Sequence, residues 1–222
     1  MIRRSYYTGV AEIGYLANIS ERDVNRLVEE EILPTELFDK QEGRRFTLSA
    51  CILANFYFKE KDNLSKKMRL KVMNTLIKNN PQLLNRENVE TFLFKATTND
   101  GWMVQLDNLC LDMGKYINPI KERCKNYQEM NDAITFDEDV MNGEPIFKGT
   151  RILVRTIASL SKSGMSNKQI RKNYPAIKMD EMISYAKLWV EINPLKGRPK
   201  KFTDLNPDWK LISKSKVDLI DA

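Results

Sequence analysis

Ile19-Ser20-Glu21-Arg22-Asp23-Val24-Asn25-Arg26-Leu27-Val28 is the stretch on which the fold turns. Val24, Leu27 and Val28 recur at the spacing of one buried helix face, and Arg22, Asn25 and Arg26 occupy the opposite face. Ser20 followed three residues later by Asp23 marks the helix start: the hydroxyl accepts the Asp23 amide, and the carboxylate suits a helix N-terminus. Upstream, Val10, Ile13, Leu16 and Ala17 form a second helical stripe that Asn18 and Ile19 interrupt. Pro34 stops the segment. A short helix, a tight turn and a second short helix is the plan of a helix-turn-helix.

Working outward, Phe38-Asp39-Lys40-Gln41-Glu42-Gly43-Arg44-Arg45-Phe46 places aromatic residues on both sides of a polar, Gly-containing turn. This predicts a small β-hairpin, or wing, with Arg44 and Arg45 on its return strand. An apolar helix follows over 48–61, capped by Thr47 or Ser49. Residues 65–79 form a basic amphipathic helix, and 101–112 form two short strands around Asp107-Asn108. Residues 117–131 form a charged helix joining two halves.

A second compact segment opens with strand-like Ile134-Thr135-Phe136, turns at Asn142-Gly143 and continues through Pro145-Ile146-Phe147. Three short helices are expected near 154–161, 166–173 and 179–190, the middle one capped by Ser166 and ended by Pro175. The fold class read from this order is mainly α, with an N-terminal winged helix-turn-helix and a C-terminal trihelical, homeodomain-like domain with a short β-arm. The boundaries fall at 1–62, 63–132 (a helical and hairpin connecting segment), 133–193 and 194–222 (a basic linker and a partner-binding tail).

Composition narrows the chemistry. The 222 residues suit one large or two small domains. There is no His, which excludes a Ser-His-Asp triad, a His general base and any His-ligated metal. Cys51, Cys110 and Cys124 are odd in number and far apart, so neither a zinc site nor a disulfide framework follows. Mostly buried, reduced thiols in a cytoplasmic protein are expected. No run approaches a membrane span of about 20 apolar residues. Net charge is +6, which permits a nucleic-acid partner without demanding one.

Several constellations invite catalytic readings and resist them. Gly143, Lys148, Gly149 and Thr150 occur together, but the lysine precedes the second glycine and Pro145 intervenes, so this is not a phosphate loop. Gly149 instead permits a strand bend, and Arg151 is expected to anchor a carbonyl or carboxylate. Asp137, Glu138 and Asp139 are consecutive, so their side chains diverge. They predict a turn and not a metal site. The chain is read as a non-enzyme without cofactor or metal.

Asn142-Gly143-Glu144-Pro145-Ile146-Phe147-Lys148-Gly149-Thr150-Arg151-Ile152 resembles the signature of a small bacterial domain of unknown function. That domain occurs widely in antitoxins whose partners are PIN-like toxins. The pattern usually reads Gly-Gly-x-Pro-(Val/Ile)-(Ile/Phe)-(Arg/Lys)-Gly-Thr-Arg-Ile-Pro-Val, and this chain departs at Asn142 and Leu153. The likeness continues at Gly164-Met165-Ser166, Ile170 and Tyr174-Pro175. The first segment resembles the MerR-like winged domain that precedes it in VapB-like antitoxins. The resemblance implies a type II antitoxin that represses its own operon and neutralises a PIN-like ribonuclease, as a homodimer or a toxin–antitoxin hetero-oligomer. A plain dimeric transcription regulator and an RNA- or protein-binding adaptor without DNA specificity are the alternatives.

Under this reading Ser20, Arg22, Asn25 and Arg26 face operator DNA, where Arg suits guanine and Asn suits adenine. Arg44 and Arg45 hold phosphates from the wing. Charge opposes the assignment: residues 1–50 hold seven Lys and Arg against nine Asp and Glu. Glu29, Glu30 and Glu31 lie at the far end of the helix and are expected to point away from the duplex. Lys196-Gly197-Arg198-Pro199 resembles an AT-hook core, with Arg198 in a minor groove, or is a basic linker. In the tail, Phe202, Trp209, Leu211 and Ile212 are isolated apolar anchors on a polar chain, suited to toxin binding with ordering on contact. The competing reading folds that tail onto its own domain.

Overall fold

The computed structural model describes residues 8–39, 44–84, 102–106 and 109–194. It is mainly helical, with eight α-helices among the described residues and three two-stranded antiparallel pairs. In chain order these are α1 (Val10–Ala17), α2 (Glu21–Glu29), β1 (Phe38–Asp39), β2 (Arg45–Phe46), α3 (Leu48–Lys59) and α4 (Lys66–Asn79). Then come β3 (Met103–Leu106), β4 (Leu109–Asp112), α5 (Gly114–Ala133), β5 (Ile134–Thr135), β6 (Ile146–Phe147), α6 (Val154–Lys162), α7 (Asn167–Asn173) and α8 (Asp180–Ile192). No described helix is long and apolar enough to cross a membrane.

Two apolar cores organise these elements. The first gathers Ile13, Leu16, Leu27, Phe46, Phe56 and Tyr116 from α1, α2, β2, α3 and α5. Its centre is α3, whose residues from Leu48 through Phe58 are all buried, so this helix is apolar on every side. The second gathers Met130, Phe147, Ile157, Ile170, Ile183 and Trp189 around α6, α7 and α8. Each such side chain contributes about 1.5–3 kcal/mol on leaving water. Tyr15 and Tyr127 pack against both cores. Helix α5, of 20 residues, runs from one to the other.

Local signals account for most boundaries. Asn18 ends α1 in the left-handed conformation, with φ of 53°, as the interruption there requires. Thr47 occupies the cap position of α3, but neither it nor Ser49 caps with its side chain. Thr47 is fully buried, and its amide donates instead to the Leu37 carbonyl at 2.9 Å. Helix α5 begins at Gly114, earlier than the charge pattern suggested. The Asp112 carboxylate accepts the Gly114 amide at 2.7 Å, so the acceptor closing the preceding strand also starts the helix. Gly149 has a φ of +74° and makes the expected bend. Asp137–Asp139 form a turn, with the Asp139 amide bonded to the Asp137 carboxylate. Arg151 does not act as an anchor: it is exposed and has no hydrogen-bond or ion-pair partner among the described residues, because its loop projects from the core.

Candidate nucleic-acid interface

The α1–α2 pair is held by close packing and by polar ties. A Cβ on Gly14 would lie 3.1 Å from the Ile19 carbonyl, so the turn sits tightly against α1. Asn55 of α3 donates to the Ala17 carbonyl at 2.7 Å, satisfying an acceptor at the C-terminal end of α1. Ser20 caps α2 as its spacing predicts. Its Oγ accepts the Asp23 amide at 3.1 Å and donates to the Asp23 carboxylate at 2.8 Å. Val24, Leu27 and Val28 are buried, which turns Arg22, Asn25 and Arg26 outward.

The hairpin is anchored beside this helix. Phe38 pairs with Phe46 and Asp39 with Arg45. Thr8 extends the pair through two backbone bonds to Phe46, each 2.8 Å. Arg44 then reaches back to α2: its Nη1 donates to Asn25 Oδ1 at 2.5 Å and its Nη2 lies 2.9 Å from Glu29 Oε1. Helix and hairpin therefore share one polar surface. The hairpin turn at 40–43 lies outside the described residues.

Most of the cations on that surface already have anionic neighbours. Arg26 lies 3.1 Å from Asp23 and 2.7 Å from Glu30, and its guanidinium sits 5.4 Å from the centre of the Phe58 ring. Glu30 also meets Lys66 of α4 at 3.1 Å. The hydrogen bond from Arg26, and then that from Lys66, hold the Glu30 carboxyl below its ordinary range. The same Glu30 bond raises the already high proton affinity of Arg26. Arg22 and Arg45 are exposed and have no hydrogen-bond or ion-pair partner among the described residues.

Geometry thus sorts the expected contact residues. Ser20 is committed to its cap. Asn25, Arg26 and Arg44 are exposed in part but occupied, and Arg22 and Arg45 are ready for an external partner. Reading adenine with Asn requires both its carbonyl oxygen and its amide NH₂. Here Arg44 holds the oxygen, so that pairing is not open to Asn25 in this arrangement. Contrary to the expectation from the sequence, Glu29 and Glu30 do not turn away from the surface; they pair with Arg44 and Arg26 on it. The i, i+4 spacing of Arg26 and Glu30 is a legible signal for this pairing. The contribution of Lys66 has no local signal. Arg198 and the tail residues Phe202, Trp209, Leu211 and Ile212 lie outside the described residues.

Further polar pairs lie along α5. Tyr127 donates to Glu12 of α1 at 2.5 Å, and Tyr116 donates to Glu60, at the end of α3, at 2.6 Å. Glu60 also accepts from Asn63 at 2.9 Å and lies 3.5 Å from Lys115. These partners, led by Tyr116, hold its carboxyl below the ordinary value. Burial, with Glu12 beside it, pushes the Tyr127 phenol well up. Cys51 and Cys124 are buried and Cys110 is exposed. Burial raises the Cys124 thiol to about 12.

Residues 134–186 match the family described as Protein of unknown function (DUF433). Over 207 residues the chain is 28% identical to the uncharacterized protein y4eO of Sinorhizobium fredii, covering 93% of this chain and 90% of that one. The X-ray crystal structure of Rv2018 from Mycobacterium tuberculosis aligns with a TM-score of 0.34 and 15% identity, over 81% of this chain and 96% of that chain.

Proposed function

We propose that the chain is a DNA-binding antitoxin. Its first segment acts as a winged helix-turn-helix that represses its own operon, and its later segments neutralise a PIN-like ribonuclease. The observation that carries the DNA half is the bond between Arg44 and Asn25. It joins the hairpin to the exposed face of α2, so that both present to one partner. In this reading α2 enters the major groove, Arg22 and Asn25 meet base edges, and Arg44 and Arg45 hold phosphates. A dimer on two half-sites supplies the affinity that one partly neutralised module lacks.

The toxin half rests on the match of residues 134–186 to DUF433 together with the antitoxin-type signature in 142–152. Helices α6, α7 and α8 with the β5–β6 arm form the trihelical unit of that reading, and the segment beyond Pro194 supplies Phe202, Trp209, Leu211 and Ile212 as anchors. Nothing in this reading requires catalysis by the chain itself.

The test is recovery of the tagged full chain from its source cells after nuclease treatment, followed by sequencing of bound protein and DNA. A stoichiometric PIN-like protein, with upstream DNA of the same operon enriched without nuclease, is the expected result. Recovery of operon DNA with no protein partner removes neutralisation and leaves a plain dimeric regulator. Recovery of neither ends the proposal.

A further inference from the structure

The distribution of charge is the least expected property of the molecule. Around α2, Arg26, Arg44 and Lys66 each meet a carboxylate. From residue 145 to 179 the chain carries eight Lys and Arg and not one Asp or Glu. Of these, Arg171 lies 3.3 Å from Asp180 beyond the stretch, and Arg155 rests over the Trp189 ring at 4.8 Å. The other six are Lys148, Arg151, Lys162, Lys168, Lys172 and Lys178. All are exposed, and no side chain among them has an ion-pair or hydrogen-bond partner among the described residues.

Helix α7 gives this charge a direction. Ser166 and Gln169 fix its start with a reciprocal capping box. Ile170 is fully buried in the second core and sets the rotation of the helix. Positions two residues to either side of Ile170 are turned about 200° from it, so Lys168 and Lys172 stand on the face away from the core. They are separated by about 6 Å along the axis, within reach of neighbouring charges on a duplex, which carries one per about 3.4 Å of each strand. Lys162 at the end of α6 and Lys178 before α8 flank them in the chain.

We propose that the outer face of α7, with Lys162, Lys168 and Lys172 as its principal contacts, binds the phosphate backbone of duplex DNA. This surface is additional to α2 and does not depend on its assignment. Its composition selects the partner. Like charges four residues apart on a helix repel, so the face is uncompensated until an anionic surface arrives. Its exposed residues are Lys168, Gln169, Arg171, Lys172 and Asn173. A protein interface is expected to offer aromatic or apolar anchors, and this face has none. A single-strand surface stacks bases on aromatic rings, whereas Tyr174, the adjacent aromatic, packs against the second core. What remains is backbone contact, which is independent of sequence and sensitive to salt.

The experiment measures binding of the full chain to duplexes of mixed sequence as salt is raised from about 50 to 200 mM. Each lost phosphate contact lowers the slope of log K against log salt by about 0.9, so Lys168→Ala with Lys172→Ala should lower it by about 1.8 and weaken all sequences alike. The pair Lys168→Arg and Lys172→Arg retains the slope. A full slope in the alanine variant overturns the proposal, as does complete displacement of duplex by single-stranded RNA through the same lysines. Arg22→Ala serves as the separate arm. Unchanged discrimination between sequences in that variant defeats the α2 reading and leaves the α7 slope to be judged alone.

Discussion

Arg44 and Asn25 are 19 positions apart in sequence, yet their side chains meet at 2.5 Å, with Glu29 on the second nitrogen of the same guanidinium at 2.9 Å. The three residues form an internal mimic of a phosphate complex: the guanidinium already sits on a carboxylate and an amide oxygen. In the proposed complex, DNA exchanges these contacts for its own. Glu29→Gln removes the competing charge while keeping the side chain's size. Operator affinity should rise about twofold to fivefold, the equivalent of ~0.5–1 kcal/mol for an exposed pair. Fluorescence anisotropy reads this directly, and weaker binding in the variant contradicts the exchange.

Arg22 and Arg26 look equivalent in sequence but differ in their surroundings. Arg26 is shared between Asp23 and Glu30 and leans on Phe58, whereas Arg22 has no partner among the described residues. Arg22→Ala should therefore cost the larger share of operator discrimination, about 1–3 kcal/mol for a lost base contact. Arg26→Ala should cost less in binding and no more than about 1 kcal/mol in stability, because its ion pairs are solvent-exposed. Reversal of that ranking across paired binding and melting curves counts against the assignment.

Tyr127→Phe removes the hydroxyl that Glu12 accepts while preserving the ring between the two cores. A hydrogen bond to a charged acceptor in a partly buried site contributes about 1–2 kcal/mol. A loss of roughly 2–7 °C in Tm follows for a chain of this size. An unchanged Tm means that water replaces the phenol at Glu12 without penalty.

Acid stability should depend on Glu60. Tyr116, Asn63 and Lys115 hold its carboxyl below the ordinary value of 4.5 in the folded chain. A lowered folded value means that the unfolded chain binds more protons below about pH 4.5. The stabilisation is present above that pH and disappears as pH falls through the folded value. Glu60→Gln should lower stability at neutral pH and flatten the decline below pH 4.5. A decline identical to that of the wild-type chain assigns the acid limb to other carboxylates.

Much of the local architecture is legible in the sequence because its signals are local. Ser20 and Asp23 announce α2, Pro34 closes the segment, and Asp107-Asn108 separate two strands that form as read. The site is less legible. Lys66 and Glu30 are 36 residues apart, and no spacing rule brings them to 3.1 Å. Their meeting depends on where α4 packs relative to α2, a tertiary outcome. Thr47 illustrates the same limit: its position suits a cap, but the surrounding core takes its side chain instead. The charge contrast between α2 and α7 likewise appears only when partners are assigned to each cation.

Helix α5 bears on where one heritable unit ends and another begins. It lends Tyr116, Ile117, Ile120 and Cys124 to the first core and Met130 to the second. Excising 134–186 as a transplantable cassette would open its interior on two sides, losing Met130 and Tyr127 of α5 and Trp189 and Ile192 of α8. A graft that carries the second half of α5 and the whole of α8 would bring both walls. Recombination that keeps the second core whole accordingly crosses over upstream of Tyr127 and downstream of Ile192.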